Sequence, residues 1–184
     1  MRGVELLRFD FFYEVCEEHP RRVLNVGSND DGGPGLREAF GPRIVNCDIE
    51  THDSKVGGRP NYVDLAFNCM DTWPLPDDSA EIALFGDVLE HLTPTGILEA
   101  LTAARRVVSK VAITVPEDTR INEAEMLARW SRAANNSHTT ILTAVRIGAL
   151  VEDAGWQITR LVSGNWGVAE DPHQIGHCLE AVLL

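Results

Sequence analysis

Long apolar runs are missing from this 184-residue chain. Nothing approaches the roughly 18 to 20 consecutive apolar residues of a membrane-spanning helix, and the first residues lack the basic start and apolar centre of a secretory signal. The expectation is a cytoplasmic protein with no membrane partner. Basic charge is also scarce: 16 Lys and Arg stand against 28 Asp and Glu, a formal charge of −12. That balance argues against sequence-independent nucleic-acid binding, which needs a basic surface to displace counterions from the phosphates. The tight basic pairs, Arg21-Arg22 and Arg105-Arg106, read as flanks of elements and not as a patch. Cys16, Cys47, Cys69 and Cys178 are scattered, with no C-x-x-C spacing, so structural zinc is not expected and no metal ligand set is assigned. No Ser-His-Asp order, Walker loop or His-Glu-x-x-His occurs. The dinucleotide fingerprint Gly-x-Gly-x-x-Gly is lacking too: after Gly27 the next glycines are Gly32, Gly33 and Gly35. This opposes a nicotinamide-dependent oxidoreductase, whose glycines serve pyrophosphate approach and helix packing.

What is present reads as one domain over residues 1–184, with 44% apolar residues and enough length to bury a core. Apolar spacing predicts an N-terminal helix over 3–18, ending before His19-Pro20. A short β-rich strand follows at 22–27, then a helix at 34–40 with Pro34 in its first turn and Gly41-Pro42 at its end. Strand 43–50 comes next; 51–60 has loop composition, so the second crossover helix is absent or vestigial. Strands are expected at 61–65 and 81–86, separated by a loop with Trp73-Pro74-Leu75-Pro76-Asp77-Asp78-Ser79. An amphipathic helix over 94–108 is opened by Thr93-Pro94, and strand 110–116 is stopped by its proline. Helices near 121–134 and 143–154 precede two final strands, 156–163 and 177–184, joined by a hairpin-like loop and hence antiparallel. The expected fold is α/β: a three-layer sandwich around a mostly parallel seven-stranded sheet, closed by an antiparallel C-terminal strand at its edge. Ligands of such sheets bind beyond the carboxyl ends of the strands, where the strand order reverses.

The first strand empties into VLNVGSNDDGGPGL, 23–36, a polar, glycine-rich loop. Further on, LPDDSAEIALFGDVLEHL, 75–92, joins Leu75-Pro76-Asp77-Asp78-Ser79 to a strand and then to Leu89-Glu90-His91. VVSKVAITVPED, 107–118, and ALVEDAGWQITRL, 149–161, complete an ordered set. From about Arg22 to Val162 these segments resemble the class I S-adenosylmethionine-dependent methyltransferases. The loop Gly27-Ser28-Asn29-Asp30-Asp31-Gly32 is similar, with one extra acid, to the Gly-Ser-Asn-Asp-Gly form of a branch among sugar C-methyltransferases. The resemblance implies a Rossmann-like methyltransferase fold and S-adenosyl-L-methionine as cofactor. The cofactor half would span about 22–92, and substrate-side elements about 117–142 and 164–176.

The resemblance also assigns residues. Gly27, Ser28, Asn29 and Asp30 would meet the cofactor's methionine part; glycine lets the backbone come close, and asparagine tolerates positive φ. Asn25 departs from the family, which usually has an acid there, and Asp30 or Asp31 are the compensating candidates. Asp48 suits the ribose hydroxyls, since a carboxylate can accept from both, and Ile49 joins it in the cofactor site. Glu50 competes with Asp48 but points differently by strand alternation. Asp64 and Asp71 compete for the adenine amine; Asp64 is preferred because NYVDL has a strand's composition, and Leu65 would then press on the adenine face. Gly86 and Asp87 follow strand four, beside the methyl group. His91 is a general-base candidate or a packing residue, and His138 joins it if the 135–140 loop folds back. His52 and His173 lie in expected loops, as substrate-facing or solvated groups, while Trp130 and Trp166 line a cavity or fill the core. The implied activity is methyl transfer to a small-molecule or sugar acceptor, on oxygen, nitrogen or carbon. Gly86-Asp87-Val88-Leu89 replaces the Asp/Asn-Pro-Pro-aromatic run of base-amine methylation. With little room for a cap domain, a second subunit could complete the site, so a homodimer is a candidate assembly. The alternative is a catalytically silent methyltransferase-like binding or partner subunit, motivated by Asn25 and the irregular glycine loop.

Overall fold

The computed structural model describes residues 5–16, 20–28, 36, 40–49, 63–118, 124, 138–165 and 174–183. Seven strands form one sheet: Val23–Val26 (β1), Ile44–Asp48 (β2), Leu65–Ala66 (β3), Ile82–Gly86 (β4), Lys110–Asp118 (β5), Gln157–Asn165 (β6) and Gln174–Val182 (β7). Their order is β3-β2-β1-β4-β5-β7-β6. The first five pair in parallel, and β7 runs antiparallel to both β5 and β6. The α/β architecture and the antiparallel C-terminal strand are as expected.

The position of that strand is a correction. β7 does not close the sheet; it is inserted between β5 and β6, and β6 is the edge. Side-chain character explains the choice: β7 buries Cys178, Leu179 and Ala181, whereas β6 leaves Leu161 and Val162 exposed. The more apolar strand takes the place flanked on both sides. A second correction concerns Pro116, which does not stop β5. The β4 ladder ends at the Gly86–Thr114 pair, while β5 continues against β7 to Asp118–Gln174. Pro116 therefore lies where the strand is flanked on one side only, a position that tolerates a missing N–H.

The sheet's two faces explain the layers. Alternation sends Leu24, Val26, Ala83 and Phe85 to one face and Val23, Ile82 and Leu84 to the other. The first face packs on helices Pro94–Ala104 (α2) and Ala144–Asp153 (α3) through Ile97, Leu101, Ile147 and Val151. The second packs on Phe11, Phe12 and Val15 of helix Glu5–Val15 (α1), and on Leu36 and Phe40. Beyond those two residues the expected helix 34–40 is described only at its end, where a 3-10 turn covers Gly41–Arg43. The expected helix 121–134 lies outside the described residues except at position 124.

Helix ends follow local chemistry. Thr93 Oγ1 accepts from the Gly96 N–H at 3.2 Å, with Pro94 in the first position of α2. Thr143 caps α3 in the same way through the Arg146 N–H, also at 3.2 Å. α2 stops at Ala104, before the expected 108, because Val107 and Val108 turn inward and both donate to the Ala104 carbonyl. α3 closes at Gly155, and the Trp156 indole then donates to the Leu101 carbonyl at 3.0 Å, tying the two helices together.

Candidate functional site

The strand order reverses between β1 and β4, neighbours that pair in parallel up to Val26–Phe85. In such sheets this is where a ligand crevice opens. The loops leaving the two strands meet there. A Cβ on Gly27 would collide with Val88 Cγ2, and Gly27 itself has φ +72. The glycine is thus required by its own backbone and by Val88, before any ligand is considered. The Gly27 and Ser28 N–H groups donate to the Cys47 carbonyl at 2.8 and 3.1 Å, holding the loop against β2. Among the described residues Ser28 Oγ is buried and has no hydrogen-bond partner. Asn29, Asp30 and Asp31 lie outside the described residues.

Asn25 and Asn46 face one another across β1 and β2, and Asn25 Nδ2 donates to Asn46 Oδ1 at 3.0 Å. Both are buried. The position that carries an acid in the resembled family is here half of a neutral amide pair.

Asp48 ends β2, and its Oδ1 accepts from the Ile49 N–H at 2.6 Å, which orients the carboxylate. Ile49 is 62% exposed, an apolar side chain left open beside that acid. Glu50, its competitor, lies outside the described residues, as do His52, His173, Trp130 and Trp166. Strand three differs from expectation. It covers Leu65–Ala66, so Asp64 precedes it and does not end it. Asp64 Oδ2 accepts from the Asn46 N–H at 2.9 Å and its own N–H donates to the Asn46 carbonyl at 2.8 Å. The backbone edge of β2 has captured this acid. Leu65 is half-buried in β3, and Asp71 is exposed, on the carboxyl side of that strand. The chain beyond it is fixed by the Trp73 indole, which donates to the Cys69 carbonyl at 2.9 Å.

At the end of β4, Gly86 is buried and Asp87 takes a left-handed φ of +55. The Asp87 N–H donates to the Thr114 carbonyl at 3.0 Å, and Thr114 Oγ1 donates to Asp87 Oδ1 at 3.4 Å. Leu89–His91 forms a separate 3-10 turn and not the start of α2. The 138–140 segment folds back onto this turn. The N–H groups of Thr139 and Thr140 donate to the Glu90 carbonyl at 2.9 and 3.1 Å, and Thr140 Oγ1 donates to the Leu92 carbonyl at 2.6 Å. His91 and His138 meet edge to face with ring centroids 4.6 Å apart. Burial, and then the neighbouring His91, hold His138 down at about 4. It is neutral near pH 7 and a weak base.

Glu90 completes the group. It is 1% exposed, and one donor atom from each of Glu90, His91 and His138 lies within 4.8 Å of the others. Sequence alone named the two histidines but not this carboxylate, because nothing in the local pattern shows that Glu90 is buried beside them. The cysteines play no such part. Burial is the leading cause that pushes Cys47 and Cys178 up to about 12 and Cys16 and Cys69 to about 11, so all four thiols stay protonated.

Solved structures share this architecture over nearly the whole chain. A SAM-dependent methyltransferase from Archaeoglobus fulgidus matches with a TM-score of 0.64 and 14% identity, covering 96% of this chain and 94% of that one. The magnesium protoporphyrin IX methyltransferase from Synechocystis PCC 6803, with bound SAH, gives 0.63 and 13%, covering 98% and 83%. The [4+2]-cyclase SpnF gives 0.61 and 17%, covering 95% and 81%. No family model matches the chain, and no curated protein does. At these identities likeness carries the fold alone, and the chain has the class I S-adenosylmethionine-dependent methyltransferase fold.

Proposed function

We propose that the protein is an S-adenosylmethionine-dependent methyltransferase acting on a small-molecule or sugar acceptor. The observation that carries the reading is the close approach of Gly27 to Val88, which brings the β1 and β4 loops together at the switch point. Two features fit this cofactor. Ser28 Oγ is a buried polar atom with no partner among the described residues, and Ile49 is an open apolar surface next to the Asp48 carboxylate.

When bound, S-adenosylmethionine supplies a methyl carbon made electrophilic by its sulfonium. Gly27 and Ser28, with Asn29 and Asp30 beyond them, would hold the methionine part, and Gly86 and Asp87 would border the methyl. Asp48 would accept from the ribose hydroxyls while Ile49 and Leu65 cover the adenine. Asp71 is the better candidate for the adenine amine, because Asp64 is engaged with β2. The protein's own work is placement, to which roughly 7–11 kcal/mol of a barrier can be owed in ideal cases. An acceptor hydroxyl must also lose its proton, and His91 and His138 adjoin that position.

The charge of −12 and the Gly86-Asp87-Val88-Leu89 run turn the reading away from nucleic-acid bases. Among the described residues no helix is long and apolar enough to cross a membrane; a cytoplasmic location belongs to the same proposal. A homodimer could finish the substrate side from 117–142 and 164–176.

One observation favours a second reading, a catalytically silent binding or partner subunit. The Asn25–Asn46 pair offers no carboxylate towards the cofactor's ammonium. Isothermal titration with S-adenosylmethionine and S-adenosylhomocysteine decides: binding of both is expected, and binding of neither sinks the methyltransferase reading. Asp48→Ala should weaken binding by about 1.5–3 kcal/mol, the range for hydrogen bonds to a charged group, and Glu50→Ala by much less. The reverse ranking would put the ribose contact on Glu50.

A further inference from the structure

We propose that Glu90, His91 and His138 bind one divalent ion of the zinc, cobalt, manganese or iron kind at the carboxyl edge of the sheet. Their donor atoms already lie within 4.8 Å of one another. An ion bonded tetrahedrally at about 2.0–2.2 Å separates its ligand atoms by roughly 3.3–3.6 Å, so closure from the present spacing needs shifts of about an ångström. Small rotations of the side chains supply that.

The donor set selects the ion. Two imidazoles and one carboxylate suit zinc and first-row transition metals, whereas magnesium and calcium prefer all-oxygen shells. Three protein ligands also leave coordination positions open for water or a bound oxygen. The backbone is set in advance as well. The Thr139 and Thr140 N–H groups hold the His138 segment to the carbonyl of Glu90 itself, and Thr140 Oγ1 holds it to Leu92. Ligands from two distant segments are thereby locked together by main-chain bonds that do not depend on the ion.

A ligated imidazole has no lone pair left for a proton, so in this arrangement neither histidine acts as the general base. The consequence for catalysis rests on the methyltransferase reading. Once bound, the ion would polarise an acceptor hydroxyl, so that its O–H bond would break with the proton passing to solvent water. The oxygen would then form its bond to the methyl carbon while the carbon–sulfur bond breaks, its electron pair staying on sulfur. The acceptor would therefore be a hydroxyl compound.

The test uses the full chain, freed of metal by dialysis against a chelator. Cobalt(II) is titrated in and followed by its visible absorption, with zinc as competitor and magnesium as control. One cobalt per chain is expected, displaced by zinc and not by magnesium. Glu90→Gln, His91→Ala and His138→Ala should each weaken binding by on the order of 10–100-fold or more, with folding checked by circular dichroism. Should a variant fail to fold, the wild-type protein still decides, because manganese(II) must broaden the ring-proton resonances of His91 and His138 first. Absence of cobalt binding, or cobalt binding unchanged in folded variants, overturns the site. Titration of S-adenosylmethionine into the same metal-free protein separates the two claims: cofactor binding without cobalt binding removes the ion and leaves the methyltransferase reading standing. Cobalt binding without cofactor binding leaves the ion site and removes its role in transfer.

Discussion

Gly27 shows how one residue can answer to fold and ligand together. Its φ of +72 is a region that costs an L-residue roughly 1–2 kcal/mol, and any Cβ there meets Val88 Cγ2. We expect Gly27→Ala to melt several degrees below wild type with no ligand present, since about 1 kcal/mol moves a domain of this size by roughly 2–4 °C. Adding Val88→Ala should recover the steric share and leave the φ share. A Gly27→Ala protein that melts like wild type would mean that only a ligand demands this glycine. Asp87 lies in the same region at φ +55, directly after β4. Its strain is modest, because aspartate enters that region more easily than most residues, and Asp78 does so too at φ +52.

Among the elements, the loop before β4 is held from outside itself. The Arg106 guanidinium donates to the Leu75 carbonyl at 2.7 Å, the Trp73 carbonyl at 2.5 Å and Asp77 Oδ1 at 2.5 Å. The Leu-Pro-acid-acid-Ser run is therefore anchored by the end of α2, and Arg106 is a staple as well as a flank. Asp77 is 71% exposed, so its ion pair is worth at most about 1 kcal/mol. The carbonyl bonds weigh more. Arg106→Ala should lower stability by about 1–3 kcal/mol in urea unfolding, and Asp77→Ala by clearly less. Equal losses would shift the credit to the ion pair.

Across the whole molecule, the four thiols are spread over both faces of the sheet: Cys16 and Cys178 in one core, Cys47 in the other with Cys69 packed against it. Burial first of all raises each to about 11 or 12. The unfolded value is about 8.5, so the stability linked to these thiols is complete below that pH. It is lost as pH climbs towards 11 and 12, because the unfolded chain releases protons that the folded chain keeps. At pH 8 a thiol reagent should react with the native protein on the order of 10²-fold more slowly than with the chain in urea, where all four thiols react. Fast labelling of any one of them in the native state would show that its surroundings open.

The amino-acid sequence by itself determined whatever depends on near neighbours. Thr93-Pro94 and Thr143 set helix starts by capping N–H groups three residues on, and the near-continuous apolar runs of β1 and β4 fit strands buried on both faces. Their order along the chain was enough for the α/β class and for placing Gly27, Asp48, Gly86 and Asp87 at strand ends. Tertiary structure decided what depends on competition between distant segments. Whether β6 or β7 took the interior place turned on which buried more apolar surface once both could pair. Asp64 was drawn to the backbone of β2, ahead of its own short strand. The Glu90, His91 and His138 group exists because main-chain bonds carry residues 138–140 back onto the turn after β4. No local pattern encodes that meeting, since the energy that holds it is realised only when both segments are already in place.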